Sequence, residues 1–489
     1  MTGIGARARK TPEAAAMVAD GAVVTFEELD RRQRLLVGAL HAGGLSAGDR
    51  IAIISANRAE SLEVTTGALR AGIIPVPINA LLTPPEIEYI IEDSGARWLF
   101  ADRAIDPAPE IERVVTFGDA YERCLHDSAL GGLADVALGR PMHYTSGTTG
   151  QPKGVWVAPM TPSKASAAAS RFIALWDLVP DDLHLVCSPL AHSAPHRFAM
   201  RTLEAGGTVV LQRGFDAEET LAAIDLLGIT TTFMVPTHLE RILSLDHRLR
   251  RYDVSSLRLL AHAGAPIRLE TKRKVLQLFP EGSVWEFYGA TEGPATRISP
   301  REWVAKPGSV GTAVAPARVV ITSAEGAELP PGEVAEVWIS DPAAERFEYW
   351  EDPVKTSEAW RGDAFTVGDL GSVDEDGYLF LSGRKHATII TGGINVYPQE
   401  VEAVLESHPA VREAMVYAAP HPEWGQQVMA QVVGADELPL DAELLREWAR
   451  ERLAGFKCPR TIEIVPTLPH TATGKLKRPE PETIRDGEG

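Results

Sequence analysis

Short apolar runs alternate with amphipathic segments over roughly the first three hundred residues of the chain. The apolar runs have strand length and the segments between them repeat apolar positions at helical spacing, so the pattern predicts βα units with parallel sheets covered by helices. The predicted strands are residues 50–55 (RIAIIS), 73–78 (IIPVPI), 184–190 (HLVCSPL), 206–212 (GGTVVLQ) and 231–236 (TTFMVP). The predicted helices are residues 26–42, 61–72 and 216–227.

The helix over residues 26–42 has the clearest limits. Thr25 and Glu28 have the spacing of a capping box at its start, and Gly43 with Gly44 ends it.

The pattern changes twice along the chain. From about Val310 it predicts hairpins that turn at Gly and Pro, as in residues 319–340. Beyond Arg384 it predicts an α+β segment of helix, two strands, helix and strand (residues 398–407, 411–419, 426–434, 440–455 and 461–466). The predicted fold class is therefore α/β, with a large N-terminal domain of βα-type sheets plus a β-rich subdomain (residues 1–386) and a small α+β C-terminal domain (residues 387–489).

The amino-acid composition excludes some kinds of binding partner and indicates the cellular compartment of the protein. The 489 residues contain 48 Lys and Arg against 67 Asp and Glu, a net charge of −19, which argues against nucleic acid or an anionic membrane as the main partner. The three cysteines, Cys124, Cys187 and Cys458, form no CxxC pair, so neither a disulfide framework nor a zinc site is expected. With no signal sequence and no run of about 20 apolar residues, we expect a cytoplasmic protein without stable membrane insertion.

The segment HYTSGTTGQPKGV is too polar to build a core and is suited to binding phosphate. Gly147 and Gly150 allow a ligand to approach the backbone, and Thr145, Ser146, Thr148 and Thr149 add hydroxyl donors. Lys153 supplies a positive charge. It is not a Walker A loop, because the glycines are too close together and Gly154 follows the lysine.

This segment resembles the phosphate-binding signature of the adenylate-forming superfamily, which contains acyl-CoA synthetases, adenylation domains and luciferases. Further motifs similar to those of the superfamily follow in the same order over nearly the whole chain. They are residues 24–29 (VTFEEL), 70–77 (RAGIIPVP), 189–192 (PLAH), 264–266 (GAP), 287–292 (FYGATE), 368–370 (GDL), 383–384 (GR) and 473–475 (TGK).

The resemblance implies a role for each matching position. The loop from Thr145 to Lys153 would hold ATP phosphates, Glu292 would hold Mg2+, and Lys475 would stabilise the charge that builds during adenylation. The Thr291 hydroxyl would donate a hydrogen bond to the α-phosphate. His192 would line the acyl pocket and is counted among the candidate catalytic residues. Phe287, Tyr288, Gly289 and Ala290 would form one wall of the adenine site, with the Tyr288 ring stacked on the base. Gly264, Ala265 and Pro266 would lie on the other face of the adenine. Asp369 and Arg384 would bind the ribose.

The resemblance further implies an acyl-CoA ligase that forms acyl-AMP from a carboxylic acid and transfers the acyl group to coenzyme A. Gly392 and Gly393 would let the pantetheine arm pass, and the small Ala194 and Gly289 beside His192 favour a bulky or extended acid. The small-molecule acid or its adenylate and CoA are the expected partners. The sequence specifies neither the identity of the acid nor the oligomeric state, and a dimer is one of the states that stay open.

Two positions depart from the superfamily pattern. Ala387 replaces the usual acid at the interdomain hinge, about which the resemblance implies that the small, mobile C-terminal domain rotates between the two half-reactions. Val367 replaces the usual threonine before Gly368. Three alternatives therefore stay open: an enzyme that mainly converts acyl-AMP to acyl-CoA, an adenylation enzyme that loads a carrier protein, and a non-catalytic nucleotide sensor.

Overall fold

The computed structural model of the protein describes residues 2–105, 110–145, 152–391, 394–421, 424–435, 439–453, 455–470 and 476–479. The chain forms two compact units. The first unit consists of Met1–Pro307, Val314–Ala317 and Asp341–Asp363, and the second of Gly308–Ala313, Arg318–Ser340 and Ala364–Gly489. The predicted division at residues 386 and 387 stays a prediction.

Helices and strands alternate along the first unit. The α-helices of the chain are α1 (Ile4–Lys10), α2 (Phe26–Ala42), α3 (Ala59–Arg70), α4 (Pro84–Ser94), α5 (Asp119–His126), α6 (Pro162–Leu175), α7 (Ser193–Ala205), α8 (Ala217–Leu227), α9 (Pro236–Leu243), α10 (Leu269–Leu278), α11 (Pro300–Ala305), α12 (Pro353–Ala359), α13 (Pro398–Glu406) and α14 (Ala442–Arg450). Short 3-10 turns cover Asp246–Arg251 and Lys385–Ala387.

The strands are β1 (Ala15–Ala19), β2 (Ala22–Thr25), β3 (Arg50–Ile54), β4 (Ile74–Ile78), β5 (Trp98–Ala101), β6 (Arg113–Thr116), β7 (His143–Thr145), β8 (Lys153–Trp156), β9 (Leu183–Val186), β10 (Thr208–Leu211), β11 (Thr231–Met234), β12 (Leu259–His262), β13 (Val284–Gly289), β14 (Pro294–Ile298), β15 (Thr312–Ala313), β16 (Arg318–Thr322), β17 (Ala335–Ser340), β18 (Glu348–Tyr349), β19 (Trp360–Arg361), β20 (Ala364–Phe365), β21 (Asp369–Val373), β22 (Leu379–Arg384), β23 (Ile389–Thr391), β24 (Ile394–Val396), β25 (Val411–His421), β26 (Gly425–Gly434) and β27 (Thr461–Ile464).

The start of α2 agrees with the predicted limit, but the capping box forms differently. The Thr25 hydroxyl accepts a hydrogen bond from the backbone N–H of Glu28 at 3.2 Å, which satisfies one donor of the first turn. The Glu28 carboxylate accepts two bonds from the Arg31 guanidinium. An i,i+3 ion pair on the helix surface therefore takes the acid that the capping box would use.

Two sheets of the first unit contain the predicted βα units. One has the order β4-β3-β5-β6 with every pairing parallel, and apolar clusters cover both of its faces. The other runs β14-β13-β12-β11-β9-β10-β1-β2 and is parallel from β13 to β1, with antiparallel strands at its ends. Because both faces of these parallel sheets are covered, successive residues of each strand are buried, and the strands therefore have continuous apolar sequences.

A third, small sheet of the first unit has the order β18-β8-β7. Strands β7 and β8 are an antiparallel pair, and β18, which comes much later in the chain, joins the free edge of β8. This sheet supports the ends of the predicted phosphate loop.

The second unit is mostly antiparallel. The predicted hairpin of residues 319–340 is β16 paired with β17, which also pairs with β21, and β21 pairs with β22. The C-terminal part has the sheet β24-β23-β26-β25 with β27 parallel to β26, and an apolar cluster under α13 and α14 forms its core. Across the described ranges, no helix is both long and apolar enough to cross a bilayer.

Candidate active site

The ends of the predicted phosphate loop lie side by side on the small sheet. Thr145 is the last residue of β7, Lys153 is the first of β8, and the two are register partners. The backbone therefore leaves and re-enters the sheet at one point, as a loop that wraps a ligand requires. The loop residues Ser146, Gly147, Thr148, Thr149 and Gly150 lie outside the described residues.

The side chain of Lys153 is held against Tyr349, a residue that no sequence motif indicated. The Lys153 Nζ atom is 4.8 Å from the centroid of the Tyr349 ring, within cation–π distance. Tyr349 reaches this position because β18 pairs with β8, with Tyr349 opposite Val155. Burial lowers the pKa of Lys153 and the Lys355 ammonium lowers it further, while Asp352 raises it.

Tyr349 also contacts the predicted magnesium ligand. Its hydroxyl donates to Oε1 of Glu292 at 2.8 Å, and the Glu292 side chain is only 8% exposed. One aromatic side chain therefore connects the lysine of the phosphate loop to the carboxylate of the 287–292 motif. A short, alternating aromatic run before a proline (residues 347–353) was the only local signal that could have found it.

The turn that carries Thr291 and Glu292 is fixed by its backbone. The N–H of Ala290 donates to the carbonyl of Gly293 at 2.9 Å, which closes the turn. Arg140 Nη1 donates to the carbonyls of Thr291 and Glu292 at 2.8 and 3.1 Å. The carboxylate of Glu292 and the hydroxyl of Thr291 are thus presented from a rigid backbone.

The donor set around Glu292 suits Mg2+. The groups are a buried carboxylate and hydroxyl oxygens, which are hard ligands. Within the described part of the chain, no group of three His, Cys, Asp or Glu side chains could hold a metal ion alone. The remaining ligands would then come from phosphate oxygens and water, which is how Mg2+ is usually bound beside a nucleotide.

His192 is the N-cap residue of α7, and its side chain is half-buried. The next residue, Ser193, places its Oγ 3.4 Å from Oγ1 of Thr291. The predicted acyl-pocket residues therefore lie next to the predicted α-phosphate donor. Ala194 packs at the edge of an aromatic cluster that contains Phe198 and Phe233.

The two predicted adenine segments lie at neighbouring strand ends. Gly264, Ala265 and Pro266 follow β12, while β13 ends at Gly289, and β12 and β13 are parallel neighbours, so both segments lie at the carboxyl edge of the sheet. Gly264 has φ +95°, a conformation that favours glycine, and a Cβ there would meet only Val235 at 3.7 Å.

The two aromatic rings of the 287–292 motif face opposite sides of β13. Phe287 packs against Trp176 with ring centroids 5.5 Å apart, while Tyr288 is buried on the other face. A single strand can direct only one of these adjacent rings toward a given ligand.

The predicted ribose-binding pair is brought together in the second unit. Asp369 and Arg384 are register partners on β21 and β22, and Arg384 Nε donates to Asp369 Oδ1 at 3.0 Å. Arg384 is 52% exposed, so this pair is open to a ligand. Ala387 ends the short 3-10 turn that follows β22.

The hydroxyl expected at Val367 is supplied one residue earlier. The Oγ1 of Thr366 accepts a hydrogen bond from the N–H of Gly368 at 3.0 Å and donates to Glu336 at 3.3 Å. The departure at Val367 therefore leaves the turn before Asp369 with a hydroxyl partner. The predicted residues Gly392, Gly393 and Lys475 lie outside the described residues.

Replacement of Tyr349 by phenylalanine should lower adenylation by about three- to tenfold, the size of one hydrogen bond to Glu292. The ring still contacts Lys153, so the Tyr349→Leu variant, which removes both contacts, should lose more. The measurement is ATP-dependent pyrophosphate release over a range of Mg2+ concentrations. Equal rates for the tyrosine, phenylalanine and leucine forms would show that Tyr349 does not position Glu292.

Comparison with known proteins gives matches over nearly the whole chain. The profile of the AMP-binding enzyme family matches residues 4–347, and that of the AMP-binding enzyme C-terminal domain matches residues 400–475. A feruloyl-CoA synthase of Amycolatopsis sp is 36% identical over 494 residues, with 97% of this chain and 96% of that protein covered. A fatty acid–[acyl-carrier-protein] ligase of Streptomyces coeruleorubidus is 34% identical over 492 residues, with 97% and 94% covered.

A solved structure is similar over the same length. The o-succinylbenzoate CoA synthetase of Bacillus subtilis, in complex with an acyl-adenylate intermediate, superposes with a TM-score of 0.83 at 27% identity and covers 97% of each chain. This match confirms the predicted mixed α/β class with a large N-terminal domain and a C-terminal domain.

Proposed function

Since the chain belongs to the family of AMP-binding enzymes, we propose that it joins a carboxylic acid to coenzyme A through an acyl-adenylate. The predicted superfamily and the prediction of an AMP-forming acid–thiol ligase are confirmed at the level of the family. ATP or AMP, Mg2+ and CoA are the cofactors of the adenylate-forming CoA ligases to which it is similar.

The observation that carries the proposal is the contact of Tyr349 with both Lys153 and Glu292. These residues come from distant parts of the sequence and converge beside Thr291. A cation and a buried carboxylate held in one place suit a Mg2+-bound polyphosphate, because the ammonium can pair with phosphate oxygens and the carboxylate with the metal.

In the proposed first step, a carboxylate oxygen of the acid attacks the α-phosphorus of ATP, and the bond to pyrophosphate breaks. Lys153 and the loop that it ends bind the departing phosphates, and the Thr291 hydroxyl donates to the α-phosphate. Glu292 would hold Mg2+, and the bound ion would neutralise phosphate charge. Arg140 keeps the Thr291–Glu292 backbone in place.

In the second step, the CoA sulfur attacks the acyl carbon, AMP leaves, and the thioester forms. Gly392 and Gly393 remain the proposed path of the pantetheine arm. A bulky or extended acid is proposed from the small side chains at Ala194 and Gly289, and the feruloyl and o-succinylbenzoate names of two similar proteins agree with an aromatic acid.

The test is pyrophosphate release from ATP and a panel of aromatic, aliphatic and dicarboxylic acids, with and without CoA. Mass spectrometry should detect AMP and the acyl-CoA as products. ADP with an acyl phosphate would refute the adenylation mechanism. Product on a phosphopantetheinylated carrier protein in place of CoA would favour the carrier-loading alternative, and activity only with supplied acyl-AMP would favour the half-reaction enzyme.

Replacement of Lys475 by alanine should lower adenylation by about 10²-fold, the scale of losing one electrostatic stabiliser. Thioester formation from supplied acyl-AMP should persist, because Lys475 is proposed to act in the first step alone. The two half-reactions are measured separately, by pyrophosphate release and by acyl-CoA formation, with exposed Lys274→Ala as the control. Equal loss of both half-reactions would contradict the assignment of Lys475 to adenylation.

A further inference from the structure

Basic side chains converge between β7, α7 and the turn after β13. We call Arg140, His143, His196 and Arg197 the basic cluster. The ring centroids of His143 and His196 are 6.1 Å apart, and these side chains are 5% and 2% exposed. Arg140 and Arg197 are half-buried, and their charges act on His143 together with that of His192.

Three polar nitrogen atoms of the basic cluster are buried without a partner among the described residues. Nη2 of Arg140, Nε2 of His143 and Nε2 of His196 have no hydrogen-bond partner among the residues described. A buried polar group left without a partner is destabilising, so such groups call for a ligand. Three of them close together are a stronger signal than any one alone.

The cluster also carries unbalanced positive charge. The charges that act on Arg197 are those of Arg140 and Arg201, and both are cations. Arg201 is paired with Glu204, and Arg140, which donates to two backbone carbonyls, also feels the charge of the Glu292 carboxylate. The unbalanced charge of the cluster is therefore that of Arg197. Burial lowers the pKa of Arg197 to about 9 and that of Arg140 to about 10, so both keep their charge at neutral pH.

The histidines contribute donors without further charge. Burial lowers the pKa of His196 to about 3 and that of His143 well below its ordinary value, so both rings are neutral at pH 7. A neutral imidazole has one N–H to donate. Two guanidinium groups and two such donors match the oxygens of one carboxylate.

The position of the cluster indicates which ligand it meets. His196 and Arg197 lie one turn further along α7 than His192 and Ser193, and Ser193 contacts Thr291, so the cluster borders the acid side of the site. The predicted phosphate site lies instead at Lys153, Tyr349 and Glu292. An oxyanion at the cluster could belong to the acid or to a phosphate, and its place on α7 favours the acid.

We propose that the basic cluster binds a second carboxylate of the substrate, so that the preferred acids are dicarboxylic. This rests on the proposed function, because it names the class of acid that the same site activates. One carboxylate would meet ATP at Thr291, and the other would pair with Arg197 and accept from the histidines.

The test compares straight-chain monocarboxylic and α,ω-dicarboxylic acids of equal carbon number, from four to ten carbons, by pyrophosphate release. The best diacid should exceed its matched monoacid at least about tenfold in kcat/KM, a factor that equals about 1.4 kcal/mol. Arg197→Met should remove this preference through a higher KM for the diacid, with the KM for ATP unchanged. Arg197→Lys should restore part of it, and Arg213→Met, at an exposed ion pair with Asp20, should change nothing.

Binding of the same acids without ATP, by isothermal titration calorimetry, separates the two proposals. Diacid binding that depends on Arg197, with no pyrophosphate release from these acids or from the aromatic acids of the first panel, would support the cluster and refute the proposed function. Equal kcat/KM values for matched monoacids and diacids in the wild type would keep the function and overturn the dicarboxylate assignment. A higher KM for ATP in Arg197→Met, with acid binding unchanged, would overturn it in favour of a phosphate ligand.

Discussion

Replacement of Glu292 by glutamine is expected to lower the rate of adenylation by about 10²- to 10³-fold, the range for removal of one preorganised electrostatic group. Glutamine keeps the size of the side chain and an oxygen that can accept from Tyr349. The Thr291 and Glu292 carbonyls would still accept from Arg140. The variant therefore removes one negative charge with little change in shape.

The loss should depend on Mg2+, because the charge of Glu292 is proposed to bind the metal. The concentration of Mg2+ for half-maximal pyrophosphate release should rise in Glu292→Gln, while the melting temperature stays close to that of the wild type. Glu348→Gln is the matched control, since this exposed carboxylate lies on the same small sheet next to Tyr349. Wild-type rate and Mg2+ dependence in Glu292→Gln would exclude it as the metal ligand.

The parts of the site that lie in short continuous runs could be predicted from the sequence. Thr291 and Glu292 belong to one motif, and Thr145 and Lys153 to another, so local pattern was enough to propose them, and their roles stay predictions. Asp369 and Arg384 were expected near each other as ribose-binding residues, and the hairpin of β21 and β22 places them as register partners.

Residues brought in by long-range pairing were missed. Tyr349 enters the site only because β18 adds to the edge of β8, and no local pattern encodes which strand occupies an edge. Arg140, which fixes the Thr291–Glu292 turn, lies in an irregular segment before β7 and carries no motif. Such contacts depend on which strands pair in the assembled sheets. The pattern of apolar residues predicts where strands occur but not which strand pairs with which.

Helix α7 was missed for a different reason. Pro195 is its third residue, and a proline within a polar run is typical of a turn. In the first turn of a helix the N–H that proline lacks has no intrahelical partner, so proline is tolerated there. The helix that carries His196 and Arg197 was therefore hidden by a residue compatible with its start.

A network of buried charged and polar side chains lies at the strands that end at the two predicted adenine segments, and its disruption is expected to lower the stability of the protein strongly. Lys272 on α10 is fully buried, its Nζ contacts Nε2 of His262, and it lies 3.4 Å from Oε2 of Glu286. His262 and Glu286 are register partners on β12 and β13. Burial lowers the pKa of Lys272 to about 8, with Glu286 opposing the shift, so the lysine is mostly protonated at pH 7.

Lys272→Met should lower the free energy of unfolding by about 3–5 kcal/mol, because it leaves the Glu286 charge buried without its partner. The measurement is urea denaturation at pH 7 followed by tryptophan fluorescence. Lys274→Met on the same helix removes an exposed i,i+4 pair with Glu270 and should cost less than about 1 kcal/mol. The double variant Lys272→Met with Glu286→Gln should recover part of the loss, since no uncompensated charge remains.

The same variant should also affect nucleotide binding, because β12 and β13 end at the two predicted adenine segments. A shift of these strand ends should raise the KM for ATP in Lys272→Met more than it changes the KM for the acid. A loss of stability with an unchanged KM for ATP would limit the network to a structural role. Equal unfolding free energies for Lys272→Met and Lys274→Met would show that the buried lysine contributes no more than an exposed one, and the ion pair with Glu286 would then not hold these strands together.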